Sequence, residues 1–335
     1  MNDRALRVLE QYDLEVISTR RGRGSYLLDT PDGLRILADY TGSENKALFQ
    51  NRVMKQIRDG GYQRVDVILP NREGALVSRD WEENKYVVKE WYPGRECDTS
   101  SESEILAAVT NLARLHRLMH VEGEEAFEKS FTAQPPLSEL HAKNVELKKI
   151  YSFIRKRKTK GEFERMFLNC FSVYSEQALE AEHLLHDRFQ ETSAGRGGLQ
   201  GSVCHGDYDH HHVLLSGSEL ATTNFECCRF DYQVGDLYRF MRKILEKHDW
   251  NVRLGLRILE GYERIRPLNE EERQLLYVRM LYPEKFRKLA NHYYGGNKAW
   301  ISRRYLDKLQ LIERQREKQE KFVKMLENQF HFGAD

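Results

Sequence analysis

Cys204-His205-Gly206-Asp207-Tyr208-Asp209-His210-His211-His212-Val213-Leu214-Leu215 is the stretch on which the reading of this chain turns. A polar loop containing a glycine runs straight into an apolar run. Ser216-Gly217-Ser218 follows with turn chemistry, and a second apolar run, 220–225, comes after it. Two short apolar runs around small turn residues predict a hairpin. Upstream, 15–19, 26–29 and 34–38 read as short strands, the last two joined by the turn Thr30-Pro31-Asp32-Gly33. Ser43 is a candidate cap for a helix reaching about residue 59, with Ala47, Leu48, Val53, Met54 and Ile57 at loose helical spacing. Gly60-Gly61 stops it. Three further strands are predicted at 65–69, 75–78 and 86–91, and Tyr92-Pro93-Gly94 breaks the last. Downstream the pattern is mainly helical. Ser101-Glu102-Ser103-Glu104 has capping-box spacing ahead of Ile105, Ala108, Leu112, Leu115 and Met119. Helices are expected at 139–158 and 162–185, a small-residue loop at 193–198, and helices again from 235 to the end, the last a charged one at 303–328. The expected fold class is therefore α+β. A small lobe with an antiparallel sheet occupies 1–93, a hinge lies near 91–95, and a larger, mainly helical lobe fills 94–335.

A length of 335 residues is enough for one large domain or two lobes sharing a cleft. The formal net charge of +1 gives no reason to expect nucleic acid or an anionic membrane as partner. No apolar run approaches the roughly 18–20 residues a membrane span needs, and Met1 to Val16 lacks the apolar core of a signal peptide. Folding in a cytoplasm is the expectation. The five cysteines, Cys97, Cys170, Cys204, Cys227 and Cys228, are odd in number and lack zinc-ligand spacing, so reduced thiols are expected.

The joint pattern is a mixed lobe, a hinge, a helix containing Leu112-Ala113-Arg114-Leu115-His116, then His205-Gly206-Asp207, a hairpin, Asn224-Phe225-Glu226, and Asp236 in Val234-Gly235-Asp236-Leu237. It resembles the catalytic core of kinase-like phosphotransferases. Trp91-Tyr92-Pro93-Gly94-Arg95-Glu96-Cys97-Asp98, Tyr282-Pro283-Glu284-Lys285-Phe286 and Leu289-Ala290-Asn291-His292-Tyr293-Tyr294 narrow the match. They resemble stretches of the CotS/YutH-type spore-coat family, and the resemblance covers nearly the whole chain. It implies a bilobal, protein-kinase-like fold shared with aminoglycoside and choline kinases. It also implies synthesis in the mother-cell cytoplasm, deposition in the endospore coat, and other spore-coat proteins as partners.

The resemblance gives each position a role. Asp207 stands where the residue that accepts the attacking hydroxyl's proton is expected, and His205 matches as well. Three positions depart. His212, five residues after Asp207, replaces the usual Asn, and imidazole suits transition metals better than Mg²⁺. Asn224 stands where a metal-binding Asp is expected, which removes a full negative charge. Glu226 is the one carboxylate left at that motif. Ala38 falls at the place of the lysine that pairs the nucleotide phosphates, with Ile36 on its own strand face and Arg35 on the other. Gly22 and Gly24 are the only candidates for a phosphate-covering turn. Asp236 is expected to be structural, bonding the backbone of the loop before it. His210, His211 and His212 are adjacent, so their side chains diverge and chelate one ion poorly.

Phosphoryl transfer rests on positioning and charge neutralisation. Asn224, His212 and Ala38 therefore point to a non-catalytic coat protein with no cofactor, using a kinase-like body as an assembly or binding platform. The alternative is an active ATP-dependent phosphotransferase using Mg²⁺ or Mn²⁺, kept open by Asp207, His205 and Glu226. A nucleotide-binding sensor stands between the two.

Overall fold

A computed structural model describes residues 3–22, 24–122, 125–191, 202–295 and 303–330; the loop expected at 193–198 lies outside them. After a 3₁₀ segment, Asp3–Gln11, the chain forms β1 (Ser18–Arg21), β2 (Ser25–Thr30), β3 (Gly33–Asp39), α1 (Glu44–Asp59), β4 (Ile68–Leu69), β5 (Ser78–Arg79), β6 (Lys85–Glu90) and β7 (Arg95–Glu96). Helices α2 (Glu102–Leu118), α3 (Glu125–Phe131), α4 (Pro136–Lys156) and α5 (Glu162–Glu191) follow. Then come β8 (Val203–Cys204), β9 (Val213–Ser216), β10 (Glu219–Thr222), β11 (Arg229–Phe230), α6 (Val234–Lys247), α7 (Val252–Glu263), α8 (Glu270–Leu281), α9 (Glu284–Gly295) and α10 (Arg304–Gln329).

One compact unit draws on Met1–Thr132, Gly198–Phe240 and Glu260–Pro267. Its main sheet is antiparallel, in the order β1-β2-β3-β6-β4 with β5 also on β6. Period-two burial divides that sheet into two faces. Tyr26, Leu28, Leu37, Tyr86 and Val88 turn to one side and pack with Ala5, Val8 and Tyr12 of the 3₁₀ segment. Ile36, Ala38, Val87 and Lys89 belong to the other side, with Ile36 opposite Lys89 and Ala38 opposite Val87.

Local chemistry explains the elements near the site. The Ser43 side chain accepts from Lys46 N–H and caps α1. Asn51 of α1 exchanges two hydrogen bonds with the Ile68 backbone, at 3.1 and 3.0 Å, which fixes β4 to that helix. Ser101 caps α2, but the capping box is not closed: Glu104 accepts from Asp98 N–H and pairs with Arg95 instead.

The first strand starts at Ser18, later than the expected residue 15, and the stretch expected at 65–69 is regular only at Ile68–Leu69. The hairpin forms at the expected turn, but Phe225 leaves the strand for a 3₁₀ turn, Phe225–Cys227. Asn224 ahead of it takes a left-handed conformation, φ 68°, and this ends the strand.

The second unit draws on Ala133–Gly197, Met241–Leu259 and Leu268–Asp335. Its core interleaves α4, α5, α9 and α10. Phe167 of α5 stacks on Phe286 of α9 at 5.0 Å between ring centres, and Leu147, Ile150, Leu309 and Ile312 close around them. The Tyr282–Phe286 stretch is structural. Phe286 sits in this core, and buried Glu284 is held by Arg287 at 2.9 Å and Lys143 at 3.3 Å. Burial alone would raise the Glu284 carboxyl, but these cations bring it down to about 2. Among the described residues no helix is long and apolar enough to cross a membrane.

Candidate functional site

The loop of interest leaves β8, which is paired with β11. Gly206 turns it with φ +80°, and a Cβ there would lie 2.2 Å from the Cys227 carbonyl oxygen. Only glycine fits both the conformation and the approach. Asp236, at the start of α6, takes His205 N–H at 2.6 Å on one oxygen and Gly206 N–H at 2.8 Å on the other. The His116 ring on α2 donates Nε2–H to the same carboxylate at 3.2 Å and accepts from Tyr262 at 2.6 Å. Burial would raise the Asp236 carboxyl, yet His116 and His205 outweigh it and hold the group below its ordinary value.

His205 is fully buried. Its Nε2–H donates to the Thr223 carbonyl at 3.0 Å, and its Nδ1 accepts from Asp207 N–H at 3.2 Å. Burial takes its pKa down to about 4, so the ring is neutral. His205 thus pins the loop to the end of the hairpin.

Asp209 caps the 3₁₀ turn His210–His212, accepting from His211 N–H at 2.9 Å. The expected divergence is only partial: the His210 and His211 rings lie 3.9 Å apart, while His212 has partners of its own. His211 meets Glu96 on β7 at 2.5 Å. His212 turns inward, donates Nδ1–H to the Asp207 carbonyl at 2.7 Å, and accepts at Nε2 from the Asn224 side-chain amide at 3.0 Å. Both of its ring nitrogens are thereby engaged.

Asp207 is 29% exposed and paired with Arg239, three residues after Asp236 on α6. Glu226 is paired too. Its carboxylate receives Lys89 Nζ at 2.9 Å, and the same ammonium lies 3.5 Å from Asp66. Asp66 is 1% exposed and accepts Asn224 N–H at 2.9 Å through Oδ2, while its other oxygen has no hydrogen-bond partner. Burial raises the Asp66 carboxyl; Lys89 is pushed down by its own burial but raised overall by the two carboxylates. Lys46 of α1 donates to the Cys228 carbonyl just beyond.

Ala38 is half-buried on β3, between Ser25 of β2 and Val87 of β6. Gly22 N–H bonds Ser25 C=O at 2.8 Å, and Gly24 has φ +73° with open space around it. The loop thus brings together Asp207, His205, His212, Asn224 and Asp236, while Glu226 faces Lys89. Sequence reading overlooked Lys89, Asp66 and Arg239. Lys89 had one visible signal: it is the single charge in Tyr86-Val87-Val88-Lys89 after an apolar run. Arg239 lies one helical turn from Asp236. Among the described residues no group of three or more His, Cys, Asp or Glu side chains is arranged to hold a metal ion. None of the five cysteines, all among the described residues, is in a disulfide; Cys227 is exposed and the others are buried, and burial pushes Cys228 up to about 12.

The fold is that of kinase-like phosphotransferases. An aminoglycoside phosphotransferase from Alicyclobacillus acidocaldarius subsp. acidocaldarius DSM 446 superposes with a TM-score of 0.84 over 98% of this chain and 96% of its own, at 17% identity. A spectinomycin phosphotransferase, solved with ADP and spectinomycin, gives 0.65 over 92% of each chain at 12% identity. Among curated proteins, the endospore coat-associated protein YutH of Bacillus subtilis (strain 168) is 26% identical over 144 residues, or 41% of this chain. The match spans only 40% of that relative's length. The model of the family described as "Spore coat putative kinase YutH" matches residues 6–326. Across nearly its whole length, therefore, the chain belongs to the YutH spore-coat family, built on a kinase-like phosphotransferase fold.

Proposed function

We propose that this chain is a spore-coat component that uses a kinase-like body as an assembly or binding platform and does not transfer phosphoryl groups. One observation carries this reading: the side chains at the expected metal and catalytic positions are each already engaged by a partner from this chain. His212 has both ring nitrogens engaged, Asn224 gives its amide to His212, Glu226 is held by Lys89, and Asp207 is held by Arg239. Mg²⁺ asks for oxygen ligands in near-octahedral array and a negative site. Here the donor set is a neutral imidazole, a neutral amide and a carboxylate already neutralised by an ammonium, so it fits Mg²⁺ poorly. Removing one charge-stabilising group commonly costs about 10²–10³ in rate, and here the phosphate lysine and the metal carboxylate are both replaced. The coat-associated relative supports a place in the coat; synthesis in the mother cell and coat proteins as partners go with that reading.

A second reading, an ATP-dependent phosphotransferase with an altered site, draws on Lys89. It lies on the sheet face of Ala38, one strand over, and Asp207 keeps some exposure. Thermal unfolding with and without ATP, crossed with Mg²⁺, Mn²⁺ and EDTA, separates the two. Ligand at a hundred times its Kd stabilises by about 2.7 kcal/mol. No shift in any condition is expected; a metal-dependent shift with ATP would replace the platform reading with the enzyme one.

A further inference from the structure

Lys89 is an unusual residue for its place. It sits in β6, an interior strand of the sheet, is 5% exposed, and its ammonium reaches the segment that follows the β9–β10 hairpin. A buried ammonium survives only where counter-charges and hydrogen bonds compensate its lost hydration. Glu226 at 2.9 Å and Asp66 at 3.5 Å supply them, and Asp66 in turn takes Asn224 N–H at 2.9 Å. A single positive centre therefore gathers two carboxylates from sequence-distant elements and fixes both ends of Asn224-Phe225-Glu226. One Asp66 oxygen stays unpartnered, so the cluster has one more acceptor than its cation satisfies. The charge that holds the two carboxylates together is supplied here by a side chain.

We propose that Lys89 is a tethered cation that orders the 224–228 segment without any metal or nucleotide. The inference deepens the platform reading and rests on it, because a segment ordered by its own chain needs no bound nucleotide to keep the site in one shape.

The test is alkylation of Cys228 in the full chain under native conditions without nucleotide, located by peptide mass spectrometry. Cys227 is exposed and calibrates the reagent, whereas Cys228 is fully buried and reacts only through opening of the segment. In the wild type, Cys228 is expected to be equally protected with and without Mn²⁺. Lys89→Ala leaves two uncompensated carboxylates and is expected to raise the Cys228 rate at least about tenfold. Mn²⁺ is expected to slow it again by entering between Asp66 and Glu226, and Lys89→Ala with Glu226→Ala is expected to lose that response. Glu226→Ala alone alters a partly exposed position and keeps the test decisive if Lys89→Ala does not fold; it too is expected to raise Cys228 reactivity. Cys228 as protected as wild type in Lys89→Ala or Glu226→Ala overturns the proposal, as does an opened Lys89→Ala segment that ignores Mn²⁺. Failure of the platform reading shows separately, as metal-dependent ATP binding by the wild type.

Discussion

Asp236→Ala removes one carboxylate and leaves three donors facing the gap: His205 N–H, Gly206 N–H and His116 Nε2–H. Asp236 is 2% exposed, so water does not simply replace it. Each buried donor left without an acceptor costs about 1–3 kcal/mol. The His116 bond, at 3.2 Å, sits at the weak end, and relief from burying the carboxylate offsets part of the sum. A net loss of about 3–5 kcal/mol is expected, of the size found when one partner of a buried charged network is removed. Against a total stability of about 5–15 kcal/mol this is large. The loop should feel it first. Native-state hydrogen exchange of the His205 and Gly206 amides should quicken by at least about a hundredfold, which corresponds to about 2.7 kcal/mol of local opening. Asp236→Asn keeps one acceptor oxygen but turns an amide donor on the others, so it should fall between alanine and wild type. If both amides in Asp236→Ala exchange as slowly as in the wild type, and the urea midpoint is unchanged, the carboxylate does not hold the loop and the reasoning fails.

The pH dependence of stability should show His205. Its folded pKa is about 4 against an ordinary 6.5, so in that window the unfolded chain binds more protons and stability falls as pH falls. The full contribution is present above about pH 6.5, and on the order of 3 kcal/mol is lost by about pH 4; His205→Gln should flatten this part of a urea-midpoint profile. Asp236, also depressed, keeps its contribution above the ordinary carboxylate range and loses it at still lower pH. Gly206→Ala forces a side chain into left-handed backbone and against the Cys227 carbonyl, whereas Gly217, φ +59°, has open space around it. Calorimetry should find Gly206→Ala costing well over about 2 kcal/mol and Gly217→Ala only about 1–2 kcal/mol of backbone strain.

Local chemistry made much of the fold legible. The β9–β10 hairpin follows from two apolar runs around Ser216-Gly217-Ser218, and the start of α1 from Ser43, whose side chain does cap it. Strand limits were less legible, because 65–69 is apolar except at Asp66 while only Ile68 and Leu69 pair with β6. The loop residues were readable as a group because eight consecutive positions, His205 to His212, carry most of them. Lys89 and Asp66 were not. Their meeting with Glu226 depends on the pairing of β3 with β6 and on the return of the hairpin to residues 64–66, where Thr222 N–H bonds Arg64 C=O at 2.9 Å. Register of that kind is set by tertiary packing and leaves little local trace. Ala38 was sought by strand order alone, which says nothing about the neighbouring strand.

The bond between His212 and Asn224 couples the two positions at which the resemblance leads one to expect Asn and Asp. An Asp at 224 alone would place a carboxylate beside His212 Nε2 in place of the amide donor, and an Asn at 212 alone would give up the Asp207 carbonyl or the Asn224 amide. Glu226 meanwhile stays committed to Lys89. The effects of changing positions 212 and 224 are therefore non-additive, and only the double variant separates what each residue does from what the pair does.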